Sequence, residues 1–114
     1  MKYSTSLKLN HIFRRLCHTS GVADGLLVLY ARKNRTDGNR VGITVSKKLG
    51  KAPVRNRTRR RIKEAYRIHE GAFLPGYDIV VVARVRAAHS RYRELERSLL
   101  SLADKLGLLR KEGA

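Results

Sequence analysis

The spacing of apolar positions changes several times along the chain, and each change marks an element. From Leu9 to Cys17, the residues Ile12, Phe13, Leu16 and Cys17 recur at helical spacing with Arg14 and Arg15 outside them, and Asn10 is placed to cap a short helix. Gly21 and Gly25 bracket a turn. Leu26 to Lys33 is rich in Leu, Val and Tyr and reads as a strand. Asn34 to Asn39, containing Asp37-Gly38, reads as a hairpin-type connection into a second strand, Arg40 to Ser46. In that second strand Val41, Ile43 and Val45 face one way and Gly42, Thr44 and Ser46 the other, so one sheet face is apolar and the opposite one small and polar.

Lys47 to Pro53 has no core pattern and three lysines, as expected of an exposed basic loop, and Pro53 suits the first turn of a helix. On a wheel of about 100° per residue, Val54, Thr58, Ile62, Ala65, Tyr66 and His69 fall within roughly 120°, the core-facing arc. Asn56, Arg60, Lys63 and Arg67 form a stripe on the other side, with Arg59 beside it. Gly71 is the expected C-cap, Pro75-Gly76 a turn, and Asp78 to Arg84 a central strand buried on both faces. Ser90 is placed to cap a last helix in which Tyr92, Leu95, Leu99, Leu102 and Leu106 recur at helical spacing, Gly107 stops it, and a short polar tail follows Leu109. The order α-β-β-α-β-α predicts an α+β fold, a two-layer α/β sandwich with helices packed on one face of a three- or four-stranded sheet. The whole of 1–114 is expected to be a single domain with its core at about 7–109.

Composition sharpens this. With 114 residues, 42% of them hydrophobic, the chain is suited to one folded domain rather than disorder. Its net charge of +17 calls for a polyanion or an anionic membrane surface as partner. The charge is concentrated: residues 47–67 hold ten basic and one acidic side chain, residues 1–46 eight and two, and residues 68–114 eight and six. More than half of the excess in so short a stretch is the footprint of phosphate binding, in which each neutralised phosphate releases counterions and adds affinity. The longest apolar runs, Leu26 to Ala31 and Ile79 to Ala83, are far too short to span a bilayer, and no export signal is visible. A lone cysteine, Cys17, fits a reducing, cytoplasmic setting.

No catalytic constellation emerges. The nine carboxylates are scattered, and Glu94 and Glu96, two apart on a helix, point different ways, which argues against a free-standing metal-dependent nuclease. His11, His18, His69 and His89 lack metal-ligand spacing, and His69 on the apolar side of its helix reads as a packed or hydrogen-bonded residue. Cys17 and His18 diverge by about 100° on a helix, so they make a poor nucleophile and base. Walker and Rossmann glycine patterns are absent.

What stands out is a continuous string from Arg40-Val41-Gly42-Ile43-Thr44-Val45-Ser46-Lys47-Lys48-Leu49-Gly50 through Val54-Arg55-Asn56-Arg57 to Arg67. It resembles the signature region of the protein subunit of bacterial ribonuclease P, including that family's Arg-Asn-Arg motif, and the likeness extends over roughly residues 7–106. The resemblance implies a ribonucleoprotein endonuclease in which an RNA subunit, with Mg2+, cleaves the 5′ leader from precursor tRNA. The protein would have no catalytic residues and bind no cofactor of its own. It also implies a left-handed βαβ crossover, and a cleft between the first helix and the open sheet face for the single-stranded leader.

Carried over by position, Lys47, Lys48, Lys51, Arg55, Asn56, Arg57, Arg59, Arg60 and Lys63 are expected to face the catalytic RNA, with Arg67 added from the helical wheel. Arginine forks donate bidentately to phosphate while lysines act as point charges. Phe13, Cys17, Val28, Tyr30, Thr44 and Ser46 are expected to line the leader cleft, where aromatic faces stack on unpaired bases. Ordinary core packing is the competing reading of Phe13 and Tyr30. Three positions depart from the family pattern: Cys17 stands where relatives often carry an aromatic, and Thr58 and Arg61 replace aliphatics. Thr58 still suits the buried arc, and Arg61 at its edge is expected to extend outward. A structural ribosomal protein, equally small and basic, is the alternative.

Overall fold

The computed structural model describes residues 4–6 and 21–110. Its strands are β1 (Ser4–Ser6), β2 (Val22–Ala23), β3 (Leu27–Lys33), β4 (Asn39–Val45) and β5 (Tyr77–Ala83). Its helices are α1 (Ala52–His69) and α2 (Tyr92–Lys105), with single 3-10 turns at Lys47–Leu49, Glu70–Ala72 and Val85–His89. The expected helix over Leu9 to Cys17 lies outside the described residues.

The uninterrupted apolar run in β5 needs cover on both faces and neighbours on both edges. β5 accordingly occupies the middle of a sheet ordered β1-β4-β5-β3-β2, antiparallel to β3 and parallel to β4. This overturns the expected hairpin: β3 and β4 are not neighbours, and the segment between them passes over the start of β5. Asn34 N donates to Gly76 O at 2.9 Å, and Asn34 Oδ1 accepts from Thr36 N and Oγ1, which folds the connection into a side-chain-stabilised turn. Gly76 underneath has φ 89°, and a Cβ there would lie 2.9 Å from Thr36 O, so the crossing requires glycine twice over. A further difference is the number of strands, five, because the short β1 and β2 pair with the outer edges of β4 and β3.

β4, α1 and β5 form a parallel crossover unit, and α1 and α2 pack on the same sheet face. Leu27 and Leu29 of β3, Val41 and Val45 of β4, and Ile79 and Val81 of β5 meet Ile62, Ala65 and Tyr66 of α1 and Leu95, Leu99 and Leu102 of α2 in one buried cluster. Tyr66 and Phe73 meet edge to face with ring centroids 4.9 Å apart. The buried arc of α1 is the one the wheel predicts, with Thr58, Ile62, Ala65 and Tyr66 inside; Thr58 Oγ1 donates to Val54 O at 2.9 Å and so satisfies its hydroxyl.

Three local expectations are corrected. Leu49, assigned to a solvated loop, is buried, because the 3-10 turn at Lys47–Leu49 folds it under while its lysines stay outside. Gly71 is no left-handed cap: α1 tightens directly into the turn Glu70–Ala72. Ser90 does not cap α2; its Oγ donates to Ala87 O, and Arg91 is the N-cap, with its N–H donating to Glu94 Oε1 at 3.0 Å. Past α2 the chain folds back onto the body of the domain. Gly107, at φ 73°, reverses the chain so that Leu108 is buried and residues around Leu109 pair with Phe73, with Leu74 N donating to Leu108 O at 2.7 Å.

Candidate nucleic-acid interface

Alternation along the strands sends a second set of side chains to the face turned away from α1 and α2. The strand register aligns them in rows across β3, β5 and β4: Val28, Val82 and Thr44 in one, Tyr30, Val80 and Gly42 in the next, Arg32, Asp78 and Arg40 in the third. Val28, Tyr30 and Thr44 are half-buried, Val80 is buried, and Ser46 is exposed just past the end of β4. Four of the six residues expected to line a cleft, Val28, Tyr30, Thr44 and Ser46, are therefore gathered at one end of this face. The other two, Phe13 and Cys17, lie outside the described residues. A Cβ on Gly21 would lie 2.6 Å from the Tyr30 ring, so the chain entering β2 runs directly against that aromatic side chain.

The third row was not anticipated. Arg40 grips Asp78 through two parallel bonds, Nε to Oδ1 and Nη2 to Oδ2, each 2.6 Å, and Asn34 Nδ2 donates to the same Oδ1 at 3.1 Å. The hydrogen bond to Asp78 is also what raises the Arg40 pKa, against a smaller effect of burial. Asp78 is buried, and the bidentate fork neutralises it there. Its only trace in the sequence is a carboxylate at the head of an otherwise apolar strand.

On the other side of the molecule α1 presents its basic stripe. Asn56, Arg57, Arg59, Arg60, Lys63 and Arg67 are exposed, as are Lys47 and Lys48 on the 3-10 turn and Lys51 at the N-cap of α1. No acidic residue lies in the first turn of α1 and no side chain caps it, so the positive end of the helix dipole adds to the potential of the lysines. Within the stripe the cations differ. Arg59 Nη1 donates to Asn56 Oδ1 at 3.2 Å, whereas Arg67 is engaged by Glu64 through two bonds, one of them 2.9 Å long. That guanidinium holds the Glu64 carboxyl below its ordinary range, and Arg67 is raised in turn. Arg55 is half-buried, its Nε enclosed and without an acceptor among the described residues, so it does not stand on the exposed stripe with Arg57. Arg61 also departs from expectation: it reaches across to the segment that leads into α2, where its Nη1 donates to Ser90 O at 3.2 Å.

Among the described residues no three His, Cys, Asp or Glu side chains come together as a metal site. His69 is hydrogen-bonded to Glu96 Oε2 at 3.1 Å, in line with the reading of it as a partnered residue. Asp24 is an organising residue that the pattern of the chain did not single out. Burial opposes its ionisation, but hydrogen bonds from Ser98 Oγ and from the N–H groups of Leu27 and Leu26, with the charge of Lys105, hold its pKa below the ordinary value. No helix of the described residues is long and apolar enough to cross a membrane.

A sheet face floored with small and aromatic side chains, and a helix face of arginines, together suit RNA. A family model described as Ribonuclease P matches residues 1–107. The chain belongs to the ribonuclease P protein family. Among members of that family, the ribonuclease P protein component of Clostridioides difficile (strain 630) is 45% identical over 101 residues, covering 87% of this chain and 89% of the relative. That of Alkaliphilus metalliredigens is 40% identical over 110 residues, covering 96% and 99%. The solved structure of Staphylococcus aureus RNase P protein superposes with a TM-score of 0.84 at 33% identity, covering 92% of this chain and 97% of that one. The Thermotoga maritima RNase P protein gives 0.79 at 30%, covering 88% and 96%. Arg55, Asn56 and Arg57 lie in the first half of α1, beside the lysine turn, with Asn56 and Arg57 exposed and Arg55 half-buried.

Proposed function

We propose that this chain is the protein subunit of a ribonuclease P ribonucleoprotein, a single RNA-binding domain acting in the cytoplasm on the 5′ maturation of tRNA. Lys47, Lys48, Lys51, Asn56, Arg57, Arg59, Arg60 and Lys63 bind the catalytic RNA, with Arg67 joining through the guanidinium N–H groups that its pairing with Glu64 does not use. Arg55 supports that face from its half-buried position. The sheet face around Val28, Tyr30, Thr44 and Ser46, with Phe13 and Cys17, takes the single-stranded leader of precursor tRNA. Cleavage itself belongs to the RNA subunit with Mg2+, for which the described part of the chain offers no ligand cluster.

The observation that carries this reading is the family match over residues 1–107 together with the exposure of Arg57, Arg59, Arg60, Lys63 and Arg67 along α1. Two RNA-facing surfaces on opposite sides of one small sheet let the protein hold the catalytic RNA and its substrate's leader at a fixed separation. Fixing that separation is how a subunit without catalytic groups raises a rate, by positioning one reactant against another. The ribosomal-protein alternative draws no support from these matches.

Reconstitution of the chain with a bacterial ribonuclease P RNA at low Mg2+ tests the proposal. Cleavage of precursor tRNA is expected to rise well above that of the RNA alone, and no gain would refute it. Co-sedimentation with salt-washed ribosomal subunits, with no ribonuclease P RNA recovered, would favour the alternative.

A further inference from the structure

Between α1 and α2 lies a groove of about 460 Å³, lined among others by Arg57, Arg60, Arg61, Glu64, Arg67 and Tyr92. That volume is within the range of small-molecule sites. Its chemistry is more particular than a basic patch. A carboxylate among so many cations weakens phosphate binding, and an exposed i,i+3 ion pair returns only a few tenths of a kcal/mol to the helix. Glu64 is nonetheless held there, ionised and oriented by both of its bonds to Arg67, and each carboxylate oxygen keeps a lone pair to spare. Tyr92, at the first turn of α2, brings an aromatic ring to the same groove. Its hydroxyl donates to Glu96 Oε2 at 3.4 Å, and His69 bonds that same oxygen at 3.1 Å, so the ring is fixed from behind. Arg61 ties the two walls together through Ser90 O.

We propose that this groove is a pocket for one unpaired nucleotide whose base carries adjacent N–H donors, guanine before any other. The base lies against Tyr92, its donor edge meets Glu64, and Arg57, Arg60 and Arg61 take the phosphate. Guanine presents an imino and an amino N–H side by side, which match two carboxylate oxygens, while uracil presents one N–H flanked by carbonyls that a carboxylate repels. This rests on the reading of α1 as the face bound to the catalytic RNA, and adds to it a place where a single base is read rather than only its backbone.

Calorimetric titration of the full chain with GMP, UMP and inorganic phosphate tests the pocket without the RNA. GMP is expected to bind about tenfold more tightly than UMP, and UMP more tightly than phosphate. Glu64→Gln, on the exposed face where folding is not at stake, is expected to bring GMP to the level of UMP. Tyr92→Leu is expected to reduce both nucleotides to the level of phosphate, while Tyr92→Phe keeps the ring and the binding. Equal affinities for GMP, UMP and phosphate, or a GMP preference that survives Glu64→Gln, would overturn the pocket. The two readings fail separately: a chain that stimulates precursor-tRNA cleavage but shows no GMP preference sinks the pocket alone. One that prefers GMP but never stimulates cleavage sinks the ribonuclease P reading of this face and leaves the pocket standing as a nucleotide site.

Discussion

Replacing Arg60 and Lys63 together by Ala separates a true phosphate interface from a merely charged surface. Both side chains are exposed on the outer stripe of α1, three residues apart, and among the described residues neither is engaged by a carboxylate, unlike Arg67 with Glu64. If each neutralises one phosphate, the slope of log affinity against log salt falls by about 0.7 to 0.9 per contact, so by roughly 1.4 to 1.8 for the pair. Between 50 and 200 mM salt the unaltered protein should then lose about tenfold more affinity for ribonuclease P RNA than the variant does. Filter binding across that salt range reads the slope directly. Arg93→Ala with Arg97→Ala, which removes the same two charges from the exposed side of α2, serves as control and should leave the slope nearly unchanged. An unchanged slope in the α1 variant, or equal changes in both, would show that net charge and not this helix face drives binding.

Tyr30→Leu should weaken precursor tRNA by about 1–3 kcal/mol, the worth of one stacked base, while leaving mature tRNA unaffected; equal loss for both substrates would return Tyr30 to the role of packing residue. Asn39→Ala should cost about 2–4 kcal/mol in urea unfolding, because its buried amide donates to Leu74 O and Tyr66 Oη and accepts from Tyr77 N, and truncation takes that amide away from the Leu74 carbonyl and the Tyr77 N–H. A loss under about 1 kcal/mol would mean that water replaces it. Asp24 sets a pH dependence with a definite sign. Its pKa is depressed in the folded state, so its contribution is complete above the unfolded carboxylate value of about 4 and is lost as pH falls through the folded value. The stability gap between the unaltered protein and Asp24→Asn should therefore hold from pH 7 to about 5 and shrink below about 4; a gap that stays constant to pH 3 would remove Asp24 from that role.

The residues around α1 show why some of this was legible before any coordinates. Thr58, Ile62, Ala65 and Tyr66 are buried, and Arg60 and Lys63 exposed, as their spacing requires. Helical phase is a local property, set by 3.6 residues per turn, and a charge stripe follows from it without knowledge of what the other face packs against. The central position of β5 was legible for a similar reason, since a run apolar on both faces has nowhere else to go. The hairpin between β3 and β4 failed on the same logic, turned round. A turn-like Asp37-Gly38 reports that the chain bends, not which strand lies beside which, and the edge that β3 would have offered to β4 is filled by a strand from 38 residues further on.

The sequence alone therefore determined the alternation of elements, the core-facing arcs and the concentration of cations on one helix face, because each depends on neighbours within a turn or two of the chain. Tertiary structure alone decided the strand order, the Arg40–Asp78 clasp across adjacent strands, the burial of Leu49 and Leu108, and the groove in which Glu64 and Arg67 meet Tyr92. Each of these joins residues far apart along the chain, and such pairings are selected by which arrangement leaves the fewest backbone groups and apolar faces unpartnered. That is a property of the whole fold, and no window of sequence contains it.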